Sequence, residues 1–283
     1  MEARLSPAHP RDHSPKVKAF LNASHATLGQ SSDRQVELSI GRVPLRLHVS
    51  DARIFSEASE RYQAFATRQE EPFAIYLRNF FSANGGSAEF SYEFEAHQAA
   101  LRAFSGESQF VGANNAYTLD SLLRILLTWM LLPRTGFLLH AATVVHDGRA
   151  YIFTGRSGAG KSTVAALSPA GSVWTDEISL LQREQGEWRA YGTPFWGEFR
   201  AAGSNSSAPV AGIFGLSQAR ENHVEALGPV GLLRNILPNV LFFSGEVAAT
   251  QRLLEILGQA VKEIPGYNLA FRKDKTFWEV LPS

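Results

Sequence analysis

The residues with the clearest chemical meaning are a glycine-rich segment that ends in Lys161 and Ser162. The segment fits G-x-x-x-x-G-K-[ST], the pattern of a phosphate-binding loop. Glycines let a backbone fold around an anion, so that several N–H groups point at the same phosphates. A lysine adds a point charge for the outer phosphates, and a serine hydroxyl can bind magnesium. The pattern predicts a nucleoside triphosphate site made of Gly155, Arg156, Ser157, Gly158, Ala159, Gly160, Lys161, Ser162 and Thr163.

The segments on either side of this loop have the context that the pattern requires. Ala150–Thr154 has the composition of a strand, and Thr163–Leu167 that of a helix, whose positive end favours an anion. Upstream, Leu138–Val145 predicts another strand, and Asp147-Gly148 predicts a tight hairpin turn. We therefore expect the loop to follow an antiparallel hairpin, and not the parallel strand and helix of the usual nucleotide-binding unit.

A second group of chemically useful residues follows at short range. The apolar segment that begins at Val173 ends in two carboxylates, Asp176 and Glu177. A carboxylate at the end of a strand can hold magnesium or accept the proton of an attacking hydroxyl. Only fifteen positions separate Lys161 from Asp176, which leaves room for one short helix and a direct return to the sheet. This spacing and the lack of a Leu-Ser-Gly-Gly-Gln segment argue against transporter ATPases, and the lack of Asn-Lys-x-Asp argues against GTPases.

Three further side chains are candidates, and two of them have two interpretations each. His140 begins the strand that precedes the loop strand, so it is either a core histidine or a residue of the site. Arg200, which follows a predicted strand at Trp188–Tyr191, either clamps phosphate with its guanidinium fork or pairs with a carboxylate at the surface. Glu198 lies beside it and is the other candidate substrate-binding residue.

Composition limits the classes of partner. Among the 283 residues, Lys and Arg together number 27, as do Asp and Glu, so no net field attracts nucleic acid or an anionic membrane. The absence of cysteine excludes disulfides, zinc-thiolate sites and thiol catalysis, and it favours a cytoplasmic protein. The longest apolar run, Ile125–Leu132, is far shorter than the roughly twenty residues of a membrane span.

Changes in residue pattern predict three parts of the chain. Val36–Ile40 alternates as a strand does, Ala52–Phe65 has a helical pattern, and Thr118–Leu132 predicts an apolar helix packed between two halves. The predicted parts are a loose lead-in at 1–35, a small α+β domain at 36–117 and a P-loop kinase-like domain at 118–283.

Three segments together resemble the HPr kinase/phosphorylase family. They are Leu139-His140-Ala141-Ala142, Gly155–Ser162 and Thr175-Asp176-Glu177, and the broader similarity extends over 36–283. The resemblance implies an α/β fold with a mixed sheet, of the HPr kinase and phosphoenolpyruvate carboxykinase type. It further implies that Lys161 binds the β- and γ-phosphates of ATP, Ser162 binds Mg²⁺, Asp176 activates the acceptor hydroxyl and His140 lies beside the phosphates.

The sequence departs from that family at one site position. HPr kinases carry two adjacent aspartates, whereas here Glu177 takes the second place, as a possible metal ligand with Asp176 and Ser162. The segment Pro194–Arg200 is also unlike the one with which HPr kinases hold HPr, so HPr is not the expected acceptor. The leading hypothesis is an ATP- and Mg²⁺-dependent kinase that transfers the γ-phosphoryl group to a hydroxyl, expected to be that of serine, on a peptide or small protein. We also expect that the chain can form homo-oligomers. The alternatives are a nucleotide-gated binding module with little turnover and a small-molecule hydroxyl kinase.

Overall fold

The computed structural model describes most of the chain from residue 34 onward. The described residues are 34–49, 52–67, 73–81, 88–92, 94–95, 108–112, 116–197 and 203–282. The predicted lead-in at 1–35 lies outside them except for its last two residues. No helix in these ranges has both the length and the apolar character needed to cross a bilayer.

The described residues of the first part of the chain form a six-stranded sheet in the order β1-β2-β3-β4-β6, with β5 beside β3. Its strands are β1 (Arg34–Ile40), β2 (Val43–Val49), β3 (Phe73–Phe81), β4 (Ala88–Tyr92), β5 (Phe94–Glu95) and β6 (Ser108–Gly112). Strands β1 and β2 form an antiparallel hairpin, with Ile40 opposite Val43. Helix α1 (Ala52–Arg61) is shorter than the predicted helix, because the chain continues as a 3-10 helix over Gln63–Phe65.

Helix α2 (Ala116–Met130) connects this sheet to the second one, and it lies within two residues of its predicted bounds at each end. Its buried leucines share one hydrophobic cluster with Leu38 of β1 and with Leu180 of the second sheet. A Cβ atom at Gly41 would lie 2.5 Å from the side chain of Leu180, so the two sheets are in close contact. As predicted, α2 packs between the two halves.

The second sheet has nine strands and is mixed. The strands are β7 (Gly136–His146), β8 (Arg149–Thr154), β9 (Val173–Thr175), β10 (Ile178–Glu184), β11 (Glu187–Tyr191), β12 (Ser207–Gln218), β13 (His223–Leu227), β14 (Val240–Leu241) and β15 (Gly266–Phe271). The order is β11-β10-β7-β8-β12-β15-β13, with β9 and β14 beside β7. Strands β8, β12 and β15 are parallel to one another, whereas β7 and β8 form the predicted antiparallel hairpin.

Helices cover both faces of this sheet, as the alternation of buried residues requires. Leu139, Ala141 and Ile152 point to the face covered by helix α5 (Val247–Glu263). Ala142 and Phe153 point to the opposite face, where they meet Val164 of helix α3 (Lys161–Leu167) and Phe277.

The second sheet is also surrounded by helices that the sequence analysis did not predict. Helices α4 (Pro229–Ile236) and α5 carried no prediction from the sequence. A 3-10 helix follows β15 at Lys275–Val280, and the carboxylate of Asp274 caps it by accepting the backbone N–H of Thr276. Two further 3-10 helices follow α2 and α4, at Leu132–Arg134 and Leu237–Asn239.

Candidate functional site

The glycine-rich loop joins the end of β8 to the first turn of α3, and its backbone requires glycine at two positions. Gly158 and Gly160 have φ values of +77° and +114°, a region that side chains with a Cβ atom rarely adopt. A Cβ atom at Gly160 would also lie 2.5 Å from Cζ of Phe271, on β15. The packing of α3 against β15 therefore leaves no room for a side chain where the helix begins.

One hydrogen bond from a distant strand and one within the loop hold this loop in place. The side-chain amide of Gln218, at the end of β12, donates to the carbonyl of Gly158 at 2.8 Å. The ammonium of Lys161 donates to the carbonyl of Gly155 at 2.9 Å, across the mouth of the loop. Lys161 is only 8% exposed, and burial lowers its pKa. An anion in the loop would compensate this charge and satisfy ammonium hydrogens that Gly155 does not use.

Asp176 follows the last residue of β9, and neighbouring backbone groups fix its position. The hydroxyl of Thr175 accepts the N–H groups of Glu177 and Ile178 and donates to the carbonyl of Phe195, which closes the turn. Asp176 is 5% exposed, and its Oδ1 accepts the N–H of Gly197 at 2.8 Å. A Cβ atom at Gly197 would lie 3.0 Å from the other carboxylate oxygen, so this glycine permits a close approach.

Glu177 points to a different partner. Both of its carboxylate oxygens accept hydrogen bonds from the guanidinium of Arg124, at 3.2 and 3.0 Å. Arg124 comes from helix α2 and lies 5.1 Å from the centroid of the Phe195 ring. The predicted metal ligand Glu177 is thus held by a bidentate ion pair that links the second sheet to α2.

His140 lies on β7, opposite Ile178 of β10. Its place in the alternation of β7 puts it on the face covered by α2 and α3, between Leu138 and Ala142. Burial is the largest cause that lowers its pKa, followed by the charge of Lys161, while Glu177 opposes the shift. The imidazole of His140 is therefore neutral at neutral pH.

These residues meet in one cavity of about 450 Å³, the loop cavity. It is lined by His140, Ser157, Gly158, Gly160, Lys161, Ser162, Thr163, Asp176, Glu177, Gly197, Gln218 and Lys273. The sequence did not single out Gly197, Gln218 or Lys273, and only the spacing of Gly197 after Asp176 offered a signal. The remaining predicted loop residues, Gly155, Arg156 and Ala159, line an adjoining cavity. Glu198 and Arg200 lie outside the described residues.

Whether this cavity suits a magnesium nucleotide depends on the protein oxygen atoms that could bind the metal. In the part of the chain that the structure describes, no three His, Asp or Glu side chains are grouped to hold a metal ion. Magnesium in nucleotide sites commonly takes one or two protein oxygens and completes its octahedron with phosphates and water. The hydroxyl of Ser162 and the carboxylate of Asp176 line the same cavity and match that requirement.

Comparisons with known proteins give a matching family model and likenesses to solved structures. The family model described as SynChlorMet cassette protein ScmC matches residues 118–282. A solved HPr(Ser) kinase/phosphatase from Coxiella burnetii is 14% identical, with 42% of this chain and 86% of that chain covered. The TM-score of 0.24 is too low for this likeness to support an argument. No curated protein matches the sequence.

Proposed function

The chain belongs to the SynChlorMet cassette protein ScmC family, and we propose that it is a kinase that uses ATP and Mg²⁺. In this proposal the phosphoryl group is transferred to a serine hydroxyl of a peptide or small protein. The observation that carries the proposal is the buried carboxylate of Asp176, which lines the same cavity as Lys161 and Ser162.

The nucleotide half of the proposal rests on the loop and on helix α3. The left-handed glycines Gly158 and Gly160 turn the backbone so that its N–H groups can surround phosphate oxygens. Lys161 adds a positive charge whose burial strengthens its attraction to an anion. These features position the terminal phosphate and lower the cost of its charge, which are the main contributions of a protein to phosphoryl transfer.

The acceptor half of the proposal assigns proton removal to Asp176. In the transfer, a bond forms between the acceptor oxygen and the γ-phosphorus, and the bond from that phosphorus to the β–γ bridging oxygen breaks, leaving ADP. The proton of the acceptor hydroxyl goes to a carboxylate oxygen of Asp176. The N–H of Gly197 holds the other oxygen at 2.8 Å and keeps the carboxylate directed into the cavity.

The remaining site residues have supporting roles in this proposal. Ser162 and Asp176 would hold Mg²⁺, which supplies charge neutralisation at the phosphates when it is bound. His140 is neutral, so it can donate one hydrogen bond to a phosphate oxygen. Glu177 can bind the metal only if it leaves Arg124, so we propose that it mainly orients the turn that carries Asp176.

The test is transfer from Mg-ATP to a degenerate library of serine-containing peptides, read by mass spectrometry. We expect peptides that gain one phosphoryl group with the wild-type protein, and a rate reduced about 10²- to 10⁴-fold in Asp176→Asn. The asparagine is a matched control, because its side-chain oxygen can still accept the N–H of Gly197.

Each other outcome is informative. Unchanged transfer by Asp176→Asn would show that this carboxylate is not the proton acceptor. If the wild-type protein bound Mg-ATP but neither transferred nor hydrolysed it, the kinase proposal would be wrong and a nucleotide-gated binding module would replace it.

A further inference from the structure

A second cavity, of about 710 Å³, adjoins the loop cavity and has no role in the chemistry above. The two cavities share Ser157, Gly158 and Gln218, so they are continuous along the glycine-rich loop. The second cavity extends over the last residues of β12 and β15 and over the end of helix α4. Its volume is within the range of about 300–1,000 Å³ that is typical of small-molecule sites.

The strand order gives the direction in which a nucleotide would lie. Strand β8, which leads into the loop, has β7 on one side and β12 on the other. The carboxylate of Asp176 belongs to the β7 side, because β9 and β10 both pair with β7. The second cavity belongs to the other side, where the parallel strands β8, β12 and β15 bring their carboxyl ends to one edge. A triphosphate with its terminal phosphate at Asp176 must therefore leave the loop on the β12 side.

The polar groups of this cavity suit a base and a sugar. Asn235, on α4, donates from its side-chain amide to the side-chain oxygen of Asn268, on β15, at 2.8 Å. That bond leaves an amide oxygen on Asn235 and an N–H on Asn268 for other partners, a donor and an acceptor side by side. Purine edges present the same combination. Glu225, directly opposite Asn268 on the neighbouring strand β13, offers a carboxylate that can accept ribose hydroxyl groups.

A glycine makes this arrangement possible. A Cβ atom at Gly215 would lie 2.3 Å from the amide nitrogen of Asn235 and 3.2 Å from the amide oxygen of Asn268. Any larger residue at this position on β12 would push the asparagine pair apart or fill the cavity. At the edge of the cavity, the side-chain amide of Gln218 donates a hydrogen bond to the carbonyl of Gly158, which joins the end of β12 to the glycine-rich loop.

From these observations we infer that the second cavity is the nucleoside site, in which Asn235 and Asn268 bind the edge of a purine base. The inference rests on the proposed function, because it takes the loop cavity as the phosphate site. It supplies base-binding residues that the sequence alone did not reveal, since Asn235 and Asn268 are 33 positions apart and meet only in the fold.

The test compares the affinities of Mg-ATP and Mg-tripolyphosphate by calorimetry in three proteins. They are the wild type, Asn268→Ala and Gln251→Ala, the last being a control at an exposed position of α5 outside both cavities. We expect the wild type to bind ATP more tightly than tripolyphosphate. Asn268→Ala should lose about tenfold in ATP affinity, the effect of one lost hydrogen bond, with tripolyphosphate binding unchanged. Gln251→Ala should match the wild type.

Two results would overturn the inference, and they differ in what they say about the proposed function. Equal affinities for ATP and tripolyphosphate in every protein would place the nucleoside elsewhere and leave the phosphate site intact. Failure of the wild type to bind either molecule would remove the phosphate site, and with it both proposals. Retained tripolyphosphate binding in Asn268→Ala also shows that the variant is folded.

Discussion

Replacing Gly160 with alanine tests whether the glycine-rich loop has the described conformation. Gly160 has φ +114°, and an alanine there would place its Cβ atom 2.5 Å from Cζ and 2.9 Å from Cε1 of Phe271. Phe271 is fully buried, so its ring cannot move aside without disturbing the core around Phe277. The substitution therefore introduces both backbone strain and a steric clash.

The two costs can be estimated separately. A left-handed conformation costs a residue with a Cβ atom about 1–2 kcal/mol, and overpacking of a filled core costs about 1–3 kcal/mol. We expect Gly160→Ala to lower the free energy of unfolding by about 2–5 kcal/mol. Gly158→Ala is the matched control, because its φ is +77° and nothing lies within 4 Å of the added Cβ atom. Gly158→Ala should lower the free energy of unfolding only by the cost of the left-handed backbone conformation.

The assay is urea denaturation of the two single variants, of Phe271→Leu and of the double variant Gly160→Ala/Phe271→Leu. The smaller leucine removes the ring atoms that the alanine meets, so the double variant should lose less stability than the sum of its singles. A coupling of about 0.5–3 kcal/mol is expected for residues in direct contact. Equal losses for Gly160→Ala and Gly158→Ala, or strict additivity in the double variant, would refute the close packing of the loop on Phe271.

Three further predictions concern charged groups around the site. Arg124→Gln removes the bidentate partner of Glu177. Because both side chains are partly exposed, we expect the free energy of unfolding in urea to fall by only about 1 kcal/mol. A loss as large as that expected for a buried ion pair would contradict this partial exposure. Asp120→Ala removes the carboxylate that pairs with the guanidinium of Arg61, and we expect the free energy of unfolding to fall by about 3–5 kcal/mol in the same assay. A loss below about 1 kcal/mol would show that the pair is not formed. Folding lowers the pKa of His140, so the unfolded state binds its proton more readily, and stability falls as the pH drops below about 6.5. Thermal unfolding at pH 7 and pH 5 should therefore show a smaller loss for His140→Gln than for the wild type, and equal losses would contradict the shift.

The parts of the site that the sequence predicts are those encoded over short distances. The loop, the hairpin before it and the short helix before Asp176 depend on neighbouring residues, and the structure has them where the pattern predicts. The contacts that direct the side chains depend on the fold. Glu177 meets Arg124 from 53 positions away, and no pattern along the chain indicates that pair.

The relation between the two sheets is also a product of the fold. Alternation in β1 and β2 predicts one buried face but not what covers it. The structure shows that α2 and part of the second sheet cover it, with Leu180 against Gly41 and Glu184 paired with Arg42 at 3.2 Å. The division at residue 118 thus remains a proposal, supported by two separate sheets that nevertheless share one hydrophobic cluster.

The most direct test of the central claim is calorimetric titration of Mg-ATP into the wild type and Lys161→Ala, with folding of both checked by circular dichroism. A charge-assisted hydrogen bond contributes about 1.5–3 kcal/mol, so the account predicts clear binding by the wild type and an affinity roughly 10- to 150-fold lower in the variant. Equal affinities in the two proteins, or no binding by the folded wild type, would contradict the claim that this loop is a nucleotide site.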